Sequence, residues 1–265
     1  MSTPERDIEK AVDICREAGA AALDYFRNRS ALAIDTKGHQ DWVTEADRNV
    51  ELLIREKLAA TWPDDGIVGE EHAASRGTSG FRWVIDPIDG TTNFVNGIPV
   101  WCIVLAGVFE GRTVIGVIHD PNYDETFVAV RDGGATLNGA PIRVAEGVAI
   151  ANGTVSVGFS NRKEAQNVVP VIGALLRHGA MFHRNASGAL TLAYVAAGRL
   201  LGYLEEHMNA WDCIAGQLLI REAGGRIEDQ DADRMIADGG RVIAGTPQVF
   251  DDLMAIAEAN WSPGA

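Results

Sequence analysis

Apolar positions in this chain fall first at helical spacing and then at strand spacing. Ile8, Ala11, Val12, Cys15, Ala18, Ala22 and Phe26 recur every three or four residues, the period of an amphipathic helix. With Thr3 as cap and Pro4 at the first position, the pattern predicts a helix over 4–26. Residues 28–40 read as a short strand and a loop ending in Lys37-Gly38. Thr44 opens a second helix to about residue 58, with Asp47 at capping-box distance. Trp62-Pro63-Asp64-Asp65-Gly66 ends that segment as a turn, and 67–72 is a short strand running into a loop.

Strand patterns then dominate. Residues 81–85, 100–109, 113–119 and 126–130 run apolar or alternate, with turns at Glu110-Gly111 and Pro121-Asn122. They predict an antiparallel meander with helices on one side. Beyond about residue 142, strands at 154–158, 181–183, 200–204 and 241–244 alternate with helices at 162–178, 187–197, 210–223 and 247–257. That alternation indicates an α/β half. The expected organisation is therefore an N-terminal α+β half, 1–142, and a C-terminal α/β half, 143–265. No linker rich in Gly, Ser or Pro separates them, so they are expected to share a cleft.

Composition narrows the function. With 46% hydrophobic residues over 265 positions the chain can bury a large core. Its formal net charge of −14 argues against a nucleic-acid surface, which needs a basic footprint. It leaves room for small phosphorylated ligands, whose charge metal ions neutralise. Cys15, Cys102 and Cys213 are widely spaced and form no CxxC, which indicates a reducing compartment. No apolar signal core opens the chain and no apolar run nears the ~20 residues of a membrane span. A cytoplasmic protein is expected.

The chemistry concentrates at Trp83-Val84-Ile85-Asp86-Pro87-Ile88-Asp89-Gly90-Thr91-Thr92-Asn93-Phe94. An apolar run stops at an aspartate, and a second aspartate and a glycine turn follow. Glu70, Asp86, Asp89 and Asp212 all stand at element ends. Each alone has an ordinary explanation: a solvated loop edge for Glu70, a turn pair for Asp89-Gly90, a helix N-terminal charge for Asp212. Together they point to a hard cation, since clustered like charges need one to offset their repulsion, and Mg²⁺ prefers oxygen ligands.

The sequence resembles the inositol monophosphatases, within the wider group of Mg²⁺-dependent, lithium-sensitive phosphatases. The resemblance is carried by Gly69-Glu70-Glu71-His72, by 83–94, and by Trp211-Asp212-Cys213-Ile214-Ala215-Gly216 through Glu222-Ala223-Gly224-Gly225. Asp41-Trp42-Val43-Thr44-Glu45-Ala46-Asp47 and Leu192-Ala193-Tyr194-Val195-Ala196-Ala197-Gly198-Arg199 extend it to nearly the whole chain. It implies the layered αβαβα sandwich of the sugar phosphatases, of mixed α+β and α/β character. It implies hydrolysis of myo-inositol monophosphate by metal-activated water, with two to three Mg²⁺ and inhibition by Li⁺. Glu70, Asp86 and the Ile88 carbonyl would bind one Mg²⁺; Asp86, Asp89 and Asp212 a second; a third would lie near Glu70. Glu70 and Thr91 would position the attacking water, and Asp47 would accept from the Thr91 hydroxyl. Gly90 and Thr91 N–H groups would cradle the phosphate.

For the rest of the substrate, the resemblance points to Ser187, Gly188 and Ala189, and to Glu205 for hydroxyl groups, with Glu206 beside it leaving the register open. Lys37 corresponds either to a loop lysine near the metals or to a solvated one. A homodimer is implied, with Trp42, Trp101 and the vicinity of His183 as contacts or as core. Two departures bear on substrate choice: His183-Arg184-Asn185-Ala186 stands where many bacterial members have Arg-Arg-Thr-Gly, and Thr191 where aspartate is common. Thr92-Asn93 favours the inositol type over relatives that hydrolyse histidinol phosphate, fructose 1,6-bisphosphate or 3′-phosphoadenosine 5′-phosphate. Some bacterial relatives also act as partners of the transcription machinery. A scaffolding pseudoenzyme is disfavoured by the intact ligand set. Asp229-Gln230-Asp231-Ala232-Asp233 lacks the glycine and glutamate of a calcium loop and reads as a solvated acidic turn. Neither membrane nor nucleic acid is expected as a partner.

Overall fold

The computed structural model describes residues 6–29, 34–38, 41–160 and 162–261. Thr3, Pro4 and His39 lie outside these residues, as do the side chains of Lys37 and Trp42. Helix α1 is Ile8–Arg27, and Asp7 caps it: its carboxylate accepts from the N–H groups of Glu9 and Lys10. The helix therefore starts at the first position of its apolar stripe, with Arg6 and Asp7 before it, and is capped by Asp7 and not by Thr3. Strands β1 (Ile34–Gly38) and β2 (Asp41–Thr44) pair antiparallel and lead into α2 (Glu45–Thr61).

A seven-stranded sheet follows, built from β3 (Gly66–Gly69), β4 (Phe81–Asp89), β5 (Cys102–Phe109), β6 (Arg112–Asp120), β7 (Glu125–Val130), β8 (Gly134–Leu137) and β9 (Ala140–Pro141) in that order. From β4 onward it is the antiparallel meander expected, while β3 lies parallel to β4. The short helix α3 (Thr91–Asn96) sits between β4 and β5. A second, five-stranded sheet has the order β11-β10-β12-β14-β13. Its strands are β10 (Thr154–Val157), β11 (Met181–His183), β12 (Gly202–Met208), β13 (Arg226–Ile227) and β14 (Gly240–Gly245). The remaining helices are α4 (Ala165–Arg177), α5 (Gly188–Ala196), α6 (Ala210–Glu222), α7 (Ala232–Asp238) and α8 (Phe250–Asn260).

The layers follow from three apolar clusters. Ile14, Ile54 and Leu58 of α1 and α2 pack on Trp83, Ile103, Leu105 and Val117, one face of the first sheet. Val84, Val104, Ile118 and Phe127 on its other face meet Leu192 and Leu219 of α5 and α6, which also meet Tyr203, Val242 and Ala244 of the second sheet. Val171, Leu175 and Leu253 of α4 and α8 cover the outer face of that sheet. The result is an αβαβα sandwich. The meander thus has helices on both faces, not one. Residues 102–108 are all buried, as a strand covered on both sides must be.

Two glycines let the middle layer close. A Cβ on Gly116 of β6 would lie 2.8 Å from the Ala215 carbonyl oxygen, and one on Gly216 would lie 2.4 Å from Leu192 Cβ. Helix α6 is therefore seated hard against both β6 and α5. The acidic stretch at 229–233 is also more than a turn. The Asp231 carboxylate accepts from the N–H groups of Asp233 and Arg234 and starts α7.

Candidate functional site

Strand β4 runs on through Pro87 to Asp89, with an irregular register against β5 between Asp86 and Asp89. Proline has no N–H for the ladder, so such a break is where it is tolerated. Asp86 Oδ1 accepts from the Ile88 N–H at 2.9 Å, fixing its carboxylate at the strand end. Gly90 then turns the chain at φ 102°, and a Cβ there would lie 3.0 Å from the Val100 carbonyl oxygen. Only glycine fits that turn. Thr91 follows as the first residue of α3, its hydroxyl 3.1 Å from the Ile88 carbonyl oxygen and 3.1 Å from Asp47 Oδ1.

Asp47 is held by the start of α2. Its Oδ2 accepts from the Thr44 N–H at 2.8 Å and hydroxyl at 2.6 Å, while Thr44 Oγ1 accepts from the Ala46 N–H at 3.1 Å. This is the capping box expected from the sequence, and it leaves Oδ1 for Thr91. Burial pushes the Asp47 carboxyl up to about 6, with the Thr44 donors pulling it back.

Glu70, at the end of β3, Asp86 and Asp212 each offer an oxygen, and the three lie within 4.8 Å of one another. Asp212 sits in the first turn of α6, where its carboxylate accepts from the Asn209 N–H at 3.2 Å. Burial raises the Asp86 carboxyl well above the usual range, and the charges of Glu70, Asp89 and Asp212 raise it further. Burial and the Asp89 charge carry Asp212 up to about 7. Three crowded carboxylates with only oxygen donors suit a hard divalent cation, whose charge would offset their repulsion.

Asp89 is not in that triplet. Its carboxylate turns to the start of α5, accepting from the Ser187 hydroxyl, the Ala189 N–H at 2.8 Å and the Gly188 N–H at 3.3 Å. Burial raises its carboxyl and these donors lower it. Ser187 and Gly188, expected to meet substrate, thus meet Asp89 here. The Ile88 carbonyl meets Thr91.

A cavity of about 170 Å³ opens beside the acidic residues, with Asp89, Asp212, Gly158, Arg184, Asn185 and Glu205 among its walls. The register left open by the sequence is resolved. Glu205 faces the cavity and accepts from the Tyr203 hydroxyl, whereas Glu206 turns away to Asn167 Nδ2 at 3.1 Å. Burial pushes Glu205 up to about 8. The two departures near the cavity are bonded to each other: Thr191 Oγ1 donates to Asn185 Oδ1 at 2.7 Å. Ala186 between them and Ser187 adopts φ 61°, a region that favours glycine. Trp101 is core, fully buried against Phe26 and Phe94 at centroid distances of 5.5 and 4.9 Å.

One residue of this site went unrecognised in the sequence. Glu51 of α2 is fully buried. It accepts from the N–H groups of Glu71 at 2.7 Å and His72 at 3.2 Å, and from Arg55 Nε at 2.6 Å. It therefore anchors the loop that carries Glu70. A Cβ on Gly69 would lie 2.1 Å from Glu51 Oε1, so glycine there admits the carboxylate. The signal was present: Asp47, Glu51, Ile54 and Leu58 share the buried stripe of α2.

The sequence model of the inositol monophosphatase family matches residues 4–262. The chain belongs to the inositol monophosphatase family. Among its relatives, the Nus factor SuhB of Escherichia coli K12 is 36% identical over 248 residues, 92% of this chain and 93% of that protein. The inositol-1-monophosphatase of Mesorhizobium japonicum is 38% identical over 246 residues, 92% of each. The crystal structure of the extragenic suppressor protein suhB from Bartonella henselae matches with a TM-score of 0.90 at 30% identity, covering 96% of this chain and 99% of that one. The family is Mg²⁺-dependent and lithium-sensitive, and the Glu70, Asp86 and Asp212 triplet fits such an ion. Among the described residues no helix is long and apolar enough to cross a membrane.

Proposed function

We propose that the protein is a Mg²⁺-dependent phosphomonoesterase that hydrolyses myo-inositol monophosphate to inositol and phosphate. The observation that carries this reading is the meeting of the Glu70, Asp86 and Asp212 triplet with the Asp47–Thr91 pair beside a small polar cavity. Glu70, Asp86 and Asp212 would hold the ion, with Asp89 and the Ile88 carbonyl as further oxygen donors. A bound divalent cation supplies Lewis-acid chemistry, lowering the pKa of water and offsetting charge on the phosphoryl oxygens.

The chain's own residues do the rest. Thr91 Oγ1 receives a proton from the attacking water and passes its own to Asp47 Oδ1, 3.1 Å away. Asp47 suits that role because burial has raised its carboxyl to about 6, near the working range of a base. Gly90 and Thr91 set the phosphate against the β4 end, and Ser187 and Gly188 fix Asp89 across the cleft. Glu205, buried and readily protonated, meets the hydroxyl face of the substrate.

Within the family, histidinol phosphate, fructose 1,6-bisphosphate and 3′-phosphoadenosine 5′-phosphate are the competing substrates. A panel of these esters with Mg²⁺ tests the reading: inositol 1-phosphate should have the highest kcat/KM, and a higher value for histidinol phosphate would overturn the substrate. A second reading, a binding partner of the transcription machinery, is supported by relatives at 36% identity that are named Nus factors. A pull-down from the native host, with and without the Asp86→Asn substitution, separates it from catalysis. We infer a homodimer from the family resemblance, to be checked by sedimentation, and no nucleic-acid or membrane partner, given the charge of −14.

A further inference from the structure

The end of α6 remote from Asp212 borders a second groove of about 490 Å³, between α6, the start of α7 and the strand ends of β6 and β7. Arg112, Arg131 and Arg221 line it, with Thr113, Gln217 and Gln230. Three arginines thus line one groove of a chain whose net charge is −14. Arg221 follows Asp212 by nine residues on the same helix, which separates the two positions by roughly 13 Å at ~1.5 Å per residue.

The guanidinium groups are unevenly neutralised. Arg221 pairs with Asp229, which is exposed. Arg131 is fixed by its Nε, which donates to the Thr113 carbonyl oxygen at 2.8 Å. Among the described residues neither Arg131 nor Arg112 forms an ion pair. Of the nearby acids, Glu222 and Asp231 are committed to backbone donors. Glu222 accepts from the N–H groups of Asp132 and Gly134, both at 3.0 Å, and Asp231 caps α7. Burial lowers the proton affinity of Arg131, the charges of Arg221 and Arg112 lower it further, and those of Asp132 and Glu222 partly offset them. Cations so placed repel, and an anion between them would offset the repulsion. Arginine forks match the oxygens of a phosphate group two at a time, and glutamine amides add neutral donors. Asp229 and Asp231 on the α7 side of the groove disfavour an extended polyanion and leave room for a compact one.

We propose that this groove binds a compact, doubly charged oxyanion of the phosphate class, at a site separate from the acidic cleft. The ligand is either inorganic phosphate or the phosphate group of a small ester.

Isothermal titration of the full chain in EDTA, at constant ionic strength set with sodium chloride, tests this. Without divalent ions the acidic cleft repels phosphate, so binding reports on the groove. Inorganic phosphate and glycerol 2-phosphate are titrated in parallel, and the tighter one identifies the source of the oxyanion. One saturable site is expected in the wild type and in Asp212→Asn. Arg131→Gln should weaken it about tenfold or more, the loss of a charge-assisted hydrogen bond. Arg112→Glu, at an exposed position that leaves the core intact, should do the same. No saturable binding of either anion by the wild type overturns the proposal. So does unchanged affinity in both arginine variants, or loss of binding in Asp212→Asn.

Discussion

The Thr91 hydroxyl lies 3.1 Å from Asp47 Oδ1, joining the first residue of α3 to the first turn of α2 across 44 positions of sequence. The other oxygen of Asp47 is held by Thr44, so this one has a fixed direction. If the pair moves a proton, Thr91→Ala and Asp47→Asn should each lower kcat by roughly 10²-fold or more with little change in KM. Thr91→Ser keeps a hydroxyl and should retain most of the activity. Steady-state kinetics with saturating Mg²⁺ checks this, and equal loss in the Ser and Ala variants would refute the relay.

Asp86 should show opposite effects with and without metal. In the metal-free protein at pH 8 its buried carboxylate is crowded by Glu70, Asp89 and Asp212. Asp86→Asn removes that repulsion, so the metal-free variant should melt above the metal-free wild type. Mg²⁺ should raise the wild-type melting temperature, by the equivalent of about 2.7 kcal/mol at a hundredfold excess over Kd. It should leave Asp86→Asn nearly unmoved. Calorimetry in EDTA and in MgCl₂ gives all four values.

Glu205 makes metal-free stability depend on pH. Its folded carboxyl titrates at about 8 against an ordinary value of 4.5, so between these the folded state binds more protons than the unfolded one. Stability should therefore fall as pH rises from about 4.5 to 8, by up to ~1.4 kcal/mol per pH unit for this one group. Asp47 adds to the slope up to about pH 6 and Asp212 up to about pH 7. Glu205→Gln mimics the protonated acid and should be more stable than wild type at pH 8. Urea unfolding at pH 5, 6.5 and 8 measures the slope, and an identical slope in the variant would refute its source.

Glu51 should matter for both fold and metal. Glu51→Ala leaves Arg55 and two backbone N–H groups of the Glu70 loop without their acceptor. Breaking such a buried pair costs about 3–5 kcal/mol. Glu51→Gln keeps the shape and should cost less. In both variants Mg²⁺ affinity should weaken, since the loop that presents Glu70 loses its anchor. Titration calorimetry with Mg²⁺ alone reads this directly.

Ala186 predicts a gain. It holds φ 61° with a Cβ in place, at a cost of roughly 1–2 kcal/mol. Ala186→Gly should stabilise the protein by about 0.5–1 kcal/mol once the added freedom of the unfolded chain is counted. Urea denaturation checks it.

Much of the fold was legible because long amphipathic patterns leave little choice. The stripes of α1 and α2 and the apolar runs of β5 and β6 appear where the sequence puts them. What was missed is short or two-sided. β8, β9 and β13 are too brief for periodicity to register. The 102–108 run records burial on both faces, but a run without alternation does not say what covers each face. At the site, the motif around Asp86 brought Glu70, Asp86 and Asp212 together in the reading, and the structure gathers them. The orientation of Asp89 toward Ser187 and Ala189 was not readable, since those residues lie about a hundred positions away. Glu51 was readable in principle, as a carboxylate on an otherwise buried stripe.

Helix α6 is held on three sides. Gly116 seats it on one sheet and Gly216 on α5, side chains of the second sheet close a third side, and only the face carrying Gln217 and Arg221 borders the groove. A substitution along it is transmitted to two sheets at once. The peptide between Arg184 and Ser187 lies outside the helices, and its Asn185 is bonded to Thr191 of α5, so a paired change at these two positions is absorbed locally. The acidic residue at the head of the helix behaves as a fixed reference point, against which the adjustable wall of the cleft is measured.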